Sequence, residues 1–319
     1  MTLTNLNTFI DLFCGIGGFR LALEAKGLNC VFSSEIDPKT QDAYEANFGE
    51  RPQGDIRKID AKDIPAHDVL CGGFPCQSFS VAGKREGLTS ENGQLFYEIV
   101  RIAKHHQPKV MILENVRGIV SLNEGRAIEE LEHQLHKIGY KVFRHILNAS
   151  YYGIPQARVR VYLVAVRKDL PIISLMPIPT EEDIVLADVL EDEGNIPEWV
   201  YLNRDDLVFD RRDAVKGRVL QPVRVGYFGK VDANGKAHQH AKIYSPTGHA
   251  CTVTADRRGG PAYEIQGRVR TLSITETKRV MGFRDDHVVA PLRTAAYQML
   301  GNAVIPKMVG LVWEGIKRL

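Results

Sequence analysis

No apolar run in this chain of 319 residues approaches the length needed to cross a membrane. Its N-terminus has neither the basic region nor the apolar stretch of a secretory signal, so no membrane association is expected. Cysteine is scarce. There are five, at positions 14, 30, 71, 76 and 251, an odd number with no C-x-x-C pair. That argues against a disulfide framework or a zinc cluster and for reduced thiols in a cytoplasm. Internal repeats and low-complexity tracts are missing as well. What remains is ordinary globular composition, 44% hydrophobic and 25% charged, with enough length for two cores or one large domain carrying an insertion.

Net charge is nearly absent too, but the total of +2 conceals an asymmetry. From Lys216 to Arg270 ten Lys and Arg face three Asp and Glu, so this span carries +7 and the rest of the chain −5. A basic segment on an otherwise acidic protein is the electrostatic footprint expected for a phosphate backbone, although a solvated surface has the same composition.

The first half alternates strands and helices. Short apolar strands are expected at Phe9–Phe13, Cys30–Ser34, Val69–Cys71 and Val110–Leu113, the last a continuous apolar run of the buried parallel type. Between them Leu95, Ile99 and Ile102 mark one helical face, and Ile128, Leu131, Leu135 and Ile138 another. Asp37 is a good N-cap and Pro38 a good first helical residue, so a helix is predicted from there towards Asn47. Lys141–Leu147 and Val159–Val166 read as an antiparallel edge pair. This is the pattern of a doubly wound α/β sheet. From about Pro171 the texture changes to prolines and acidic residues, and then, from Val200 to Arg270, to glycines and short β-like pieces. The expected division is therefore residues 1–180 and 271–319 in one domain, with a smaller, irregular β-rich domain at 181–270. Helical pattern returns near Thr275–Met281 and Val304–Ile316.

Several motifs sit at the ends of these strands. Phe13-Cys14-Gly15-Ile16-Gly17-Gly18 lies where a dinucleotide fingerprint would, but Arg20 stands in place of the third glycine of G-x-G-x-x-G, which speaks against NAD and its pyrophosphate. A nucleoside cofactor without phosphates needs less. Glu35 ends the second strand about twenty residues further on, where a carboxylate can accept both ribose hydroxyls; Asp55, in Gly54-Asp55-Ile56, is a candidate acceptor for an adenine amino group. Gly72-Gly73-Phe74-Pro75-Cys76-Gln77 presents a thiol after a strand that breaks at two glycines. A lone cysteine is by default a small core residue, and the tetrapeptide alone does not overturn that. Glu114-Asn115-Val116 follows the fourth strand; a Glu there is either a helix-terminal residue or a group that meets substrate and, if buried, carries a proton. In Gln156-Ala157-Arg158-Val159-Arg160 two arginines alternate as a strand begins, so both are expected on one face, facing an anion, a carbonyl oxygen or simply solvent.

In this order, and with Arg279-Val280-Met281-Gly282-Phe283 and Gln298-Met299-Leu300-Gly301-Asn302-Ala303-Val304 behind them, these blocks resemble the bacterial C5-cytosine DNA methyltransferase family of restriction–modification systems. The resemblance covers nearly the whole chain and is weakest between about 181 and 250. It implies a Rossmann-like S-adenosylmethionine-dependent domain completed by the C-terminal segment, with a target-recognition domain inserted. It implies Cys76 as the nucleophile at C6 of a flipped cytosine, with Glu114, Arg158 and Arg160 around the base. It implies an S-adenosylmethionine pocket of Phe13, Gly15, Ile16, Gly17, Gly18, Glu35, Ile36, Asp55, Ile56, Pro75, Leu95, Asn302 and Ala303. Ile36 stands where an aromatic often stacks on adenine, and Ala303 where a hydroxyl residue is common. Gln77, Ser80, Tyr244, Thr252 and Arg257 become candidate DNA contacts.

Double-stranded DNA is the implied partner, with a cognate restriction endonuclease acting on the same site as a companion; the protein is expected to be a monomer, and no metal is called for. The rival readings are tRNA cytosine methylation on the same fold, a catalytically silent DNA-binding regulator, and a Rossmann oxidoreductase.

Overall fold

The computed structural model describes residues 6–74, 93–180, 182–211, 217–232, 237–238, 241–256 and 260–318. In chain order the elements are β1 (Thr8–Leu12), α1 (Gly18–Glu24), β2 (Asn29–Ser34), α2 (Pro38–Phe48), β3 (Val69–Gly73), α3 (Gly93–His106), β4 (Val110–Val116), α4 (Arg126–Lys137) and β5 (Tyr140–Asn148). Then come β6 (Gln156–Ala157), β7 (Val159–Arg167), β8 (Ile172–Ser174), β9 (Leu207–Val208), β10 (Val223–Phe228), β11 (Lys242–Ser245), β12 (Ala250–Cys251), β13 (Ala262–Ile265) and β14 (Arg268–Arg270). Helices α5 (Ile274–Val280), α6 (Arg293–Asn302) and α7 (Pro306–Gly315) and strand β15 (Ile316–Arg318) complete the order. Among the described residues no helix is long and apolar enough to cross a membrane.

The chain divides into two compact units made of interleaved segments: Met1–Leu147, Val159–Ile178 and Val304–Leu319 form the first, Asn148–Arg158 and Pro179–Ala303 the second. In the first, six strands lie in the order β2-β1-β3-β4-β7-β5. β2, β1, β3 and β4 run parallel, and β7 returns antiparallel to β4. The chain leaves β1 for β2 on one side and comes back to β3 on the other, so the order reverses at β1. In open α/β sheets ligands bind outside the carboxyl ends of the strands at such a reversal.

Helices α3 and α4 place Phe96, Ile99 and Ile102, and Ile128, Leu131 and Leu135, in the same buried cluster as Leu70, Met111 and Leu113 of the strands. The three- and four-residue spacing read from the sequence is thus the face that the sheet covers. α2 starts as predicted: the Asp37 carboxylate accepts from the Thr40 N–H at 3.0 Å, and Pro38 fills the first turn. The C-terminal segment also returns to this unit, where α7 packs against α1. The helical pattern ends at Gly315, however, and the next three residues pair with β8, a strand that periodicity in three residues cannot announce.

The second unit holds a mixed sheet, order β14-β13-β11-β10-β9, around Val225, Phe228, Ile243, Ala262 and Val269. Beside it β12 pairs in parallel with β6. Its boundaries differ from 181 and 270. Helices α5 and α6, placed by the sequence with the first domain, belong here, because their partners do: the buried Arg270 guanidinium forks onto Glu276 of α5 at 2.6 and 2.7 Å, and the Tyr297 hydroxyl of α6 donates to the Leu272 carbonyl. α6 was not legible as a helix. It buries Ala295, Ala296, Tyr297, Met299, Leu300 and Gly301, and half of these are alanine or glycine, whose weak hydrophobicity leaves only a faint apolar face.

Candidate active site

The glycine loop leaves β1 in a strained path. Phe13 has φ of 55°, unusual for a residue with a side chain, and Gly15 and Gly17 follow at 54° and 86°. A Cβ on Gly15 would meet no atom within 4 Å, so the loop is open there, whereas one on Gly18 would lie 2.5 Å from the Val304 carbonyl oxygen. Gly18 is therefore a packing glycine that lets the C-terminal segment close on α1, and only Gly15 faces free space. Ile16 is buried; Phe13 and Leu95 are half-buried against the core.

Glu35, just past β2, holds this loop: its Oε2 accepts from the Gly15 N–H at 3.1 Å and its Oε1 from the Asp37 N–H at 3.0 Å. Burial pushes the Glu35 carboxyl above the usual range, against the pull of those amides. Ile36 beside it is 60% exposed, an apolar side chain held out in solvent. The backbone of Gln53 pairs with Ser33 and Glu35, which brings Asp55 alongside the end of β2. The Asp55 carboxylate is forked by Arg57 at 2.8 Å on each oxygen, and those hydrogen bonds hold it below the usual carboxylate range. Ile56 is buried in the core, so only its backbone is on offer. An open glycine, a carboxylate beside it and an exposed aliphatic side chain leave room for a ligand at this end of the sheet.

The second cluster is built on β3, β4 and β7. Register sets Gly73 beside Glu114, and Val116 opposite Arg160, which makes Glu114 and Arg160 diagonal neighbours on one face of the antiparallel pair. Their side chains, 10% and 14% exposed, form an ion pair at 3.1 Å. Next to it the Asn115 amide donates to the Phe74 carbonyl at 2.9 Å, while its oxygen accepts from the Val116 N–H. Asn115 had no role in the sequence reading; an amide directly after Glu114, at the end of an apolar run, was the available signal. Asp11 was missed as well. It is the one charged residue of β1, fully buried, and burial raises its carboxyl well above the usual range. Pro75, Cys76, Gln77 and Ser80 lie outside the described residues, as does Arg257.

The two arginines do not share a strand. β6 stops at Ala157 and β7 begins at Val159, with Arg158 at the break and 2% exposed. Its guanidinium donates to three backbone carbonyls of the second unit, those of Val253, Gly301 and Ala303, at 2.8 to 3.0 Å. Asn302, exposed, and Ala303, buried, are at the end of α6 in that same unit. Tyr244 and Thr252 are brought together in the lining of one cleft of about 600 Å³, with Cys251, Thr254 and Asp256. The Thr254 hydroxyl donates to the Asp256 carboxylate at 2.7 Å, a pair that sequence reasoning had passed over.

A doubly wound sheet with a glycine loop after β1, a carboxylate after β2 and a nearly buried Glu–Arg pair between β4 and β7 gathers these groups near the carboxyl ends of its parallel strands, where such sheets bind ligands. The sequence pattern of the C-5 cytosine-specific DNA methylases matches residues 7–318. The Type II methyltransferase M.HhaI of Haemophilus parahaemolyticus is 40% identical over 304 residues, covering 93% of this chain and 90% of that protein. M.HpaII of Haemophilus parainfluenzae is 36% identical over 310 residues, 93% and 85% of the two chains. Among solved structures, the Dnmt2 methyltransferase of S. pombe superposes with a TM-score of 0.66 at 21% identity over 96% of this chain and 97% of that one, a likeness of fold. The chain belongs to the C-5 cytosine-specific DNA methylases and is a DNA (cytosine-5-)-methyltransferase of the restriction–modification kind.

Proposed function

We propose that this enzyme uses S-adenosylmethionine to methylate one cytosine, flipped out of a short duplex sequence, through a covalent bond from Cys76. The observation that carries the reading is the nearly buried Glu114–Arg160 pair beside Phe74, which stands two residues before Cys76 in the chain. Cytosine C5 is a poor nucleophile. Addition of the Cys76 thiolate at C6, with Glu114 donating a proton to N3 and accepting from the amino group, gives C5 enamine character. Arg160 keeps Glu114 in place and is the donor for the base carbonyl. Loss of the C5 proton after methylation expels Cys76 and restores the ring. Because C6 is unreachable inside the stack, the base leaves the duplex.

The bound cofactor supplies an electrophilic methyl group on a sulfonium. Glu35 is its ribose acceptor, Gly15 leaves room for close approach, and Ile36 offers an aliphatic surface for adenine. The Asp55 carboxylate already serves Arg57, so its contact with the adenine amino group must compete with or share that fork. Asn302 and Ala303 are assigned to cofactor binding by the motif match alone.

Sequence recognition is assigned to the second unit. Its basic residues position phosphates, and the cleft lined by Tyr244 and Thr252 meets base edges. A restriction endonuclease of the same specificity and a monomeric enzyme complete the proposal. Tritium transfer from labelled S-adenosylmethionine to plasmid DNA against tRNA, followed by bisulfite sequencing of the plasmid, tests it. Label in tRNA alone, or in neither, overturns it.

A further inference from the structure

Arg158 sits where the motif match expects a substrate ligand, yet its surroundings are those of a structural clamp. It is 2% exposed, and three of its donor contacts go to carbonyls: Val253 just after β12, and Gly301 and Ala303 at the end of α6. The last carbonyls of a helix have no partner within it and carry its negative pole, so a buried guanidinium there satisfies both hydrogen-bonding capacity and charge. The neighbouring contacts tighten the same junction. Gln156 accepts from the Val253 N–H at 2.9 Å and donates to the Val280 carbonyl at 3.0 Å, and the Thr252 hydroxyl donates to the Ala157 carbonyl at 2.6 Å. Gly301 is in direct backbone contact with Thr254 and Ala255; a Cβ at 301 would collide with both. The segment so fixed, 252–256, is the polar wall of the recognition cleft, with Thr252, Thr254 and Asp256.

We infer that Arg158 is a positioning residue of target recognition: together with Gly301 it holds the cleft wall 252–256 against the end of α6, and it does not touch the cytosine. A cleft wall ordered before DNA arrives avoids the cost of ordering it on binding, so the clamp is read out in DNA affinity and fidelity rather than in the chemical step. The inference rests on the assignment of the cleft to DNA.

Steady-state kinetics on duplex DNA with Arg158→Met, Arg158→Lys and Gly301→Ala test it, after the wild-type target has been mapped. Arg158→Met should raise the KM for DNA by about tenfold or more, the equivalent of one charged hydrogen bond, while kcat at saturating DNA stays near wild type. Arg158→Lys should recover part of the loss. Gly301→Ala leaves Arg158 intact but displaces Thr254 and Ala255, and should reproduce the KM rise and methylate near-cognate sites more readily. A collapse of kcat in both Arg158 variants, with the KM for DNA unchanged and Gly301→Ala behaving as wild type, would place Arg158 on the base and overturn the inference. If Arg158→Met does not fold, Arg158→Lys and Gly301→Ala decide. Failure of the wild-type enzyme to methylate duplex DNA strikes the proposed function instead, so the two failures are separable.

Discussion

The side-chain amide of Asn115 donates to the carbonyl oxygen of Phe74 at 2.9 Å, joining the end of β4 to the last described residue before Pro75-Cys76. Both groups are buried, so neither is easily satisfied by water if the bond is lost. Through this bond, Glu114 and the strand that leads to Cys76 share one anchor.

Asn115→Ala should therefore lower kcat by more than tenfold while leaving the KM for S-adenosylmethionine unchanged, because the glycine loop and Glu35 do not depend on it. Stability should fall by about 1–3 kcal/mol, the cost of an unsatisfied buried carbonyl. Denaturant unfolding and cofactor titration on the same preparation check both halves. A variant with wild-type kcat would show that the anchor has no part in catalysis.

Cys76→Ala should abolish methyl transfer with cofactor binding intact. Duplex DNA carrying 5-fluorocytosine at the target should trap the wild-type enzyme through denaturing electrophoresis, since fluorine cannot leave as a cation where the proton would. The adduct should need S-adenosylmethionine and be absent from Cys76→Ser. Peptide mapping that placed the linkage on Cys14, Cys71 or Cys251 would identify a different nucleophile.

Glu35→Ala should weaken S-adenosylmethionine binding by about 1.5–3 kcal/mol, the scale of hydrogen bonds to a charged group, with activity partly restored at high cofactor concentration. The sign of the pH effect follows from burial, which raises the Glu35 carboxyl above its ordinary range. Ribose hydroxyls donate to the ionised form, so affinity should fall as pH drops through that raised value, earlier than for an exposed glutamate. Calorimetry against pH should show this step in the wild type and lose it in Glu35→Gln.

Grafting 181–270 into a relative of different specificity should transfer the target sequence, since that segment carries the basic excess and the cleft. The junction matters for stability. A cut at 270 separates Arg270 from Glu276, a pair with 3% and 0% exposed side chains, and a host lacking an equivalent Glu should lose about 3–5 kcal/mol from the stranded charge. A graft of 179–303 keeps the pair and should unfold at higher denaturant. A folded, active chimera that retained the host's site would refute the assignment of specificity to this unit.

The sequence by itself determined the sheet and what stands at its strand ends. Periods of two and of three to four residues reported which faces are buried, and glycines, Asp37 and Pro38 punctuated them, because these are local constraints that each residue carries wherever the chain goes. Glu35 and Glu114 stood out in the sequence for the same reason: each follows an apolar run. Tertiary structure alone decided the rest. It broke the strand at Arg158 and turned that guanidinium to carbonyls 95 and 145 residues further along the chain. It paired β15 with β8, and moved α5 and α6 into the second unit. These outcomes depend on which buried polar groups meet across long sequence separations. A buried arginine, amide or glycine must satisfy whatever neighbour the folded chain brings to it, and no local pattern encodes that neighbour.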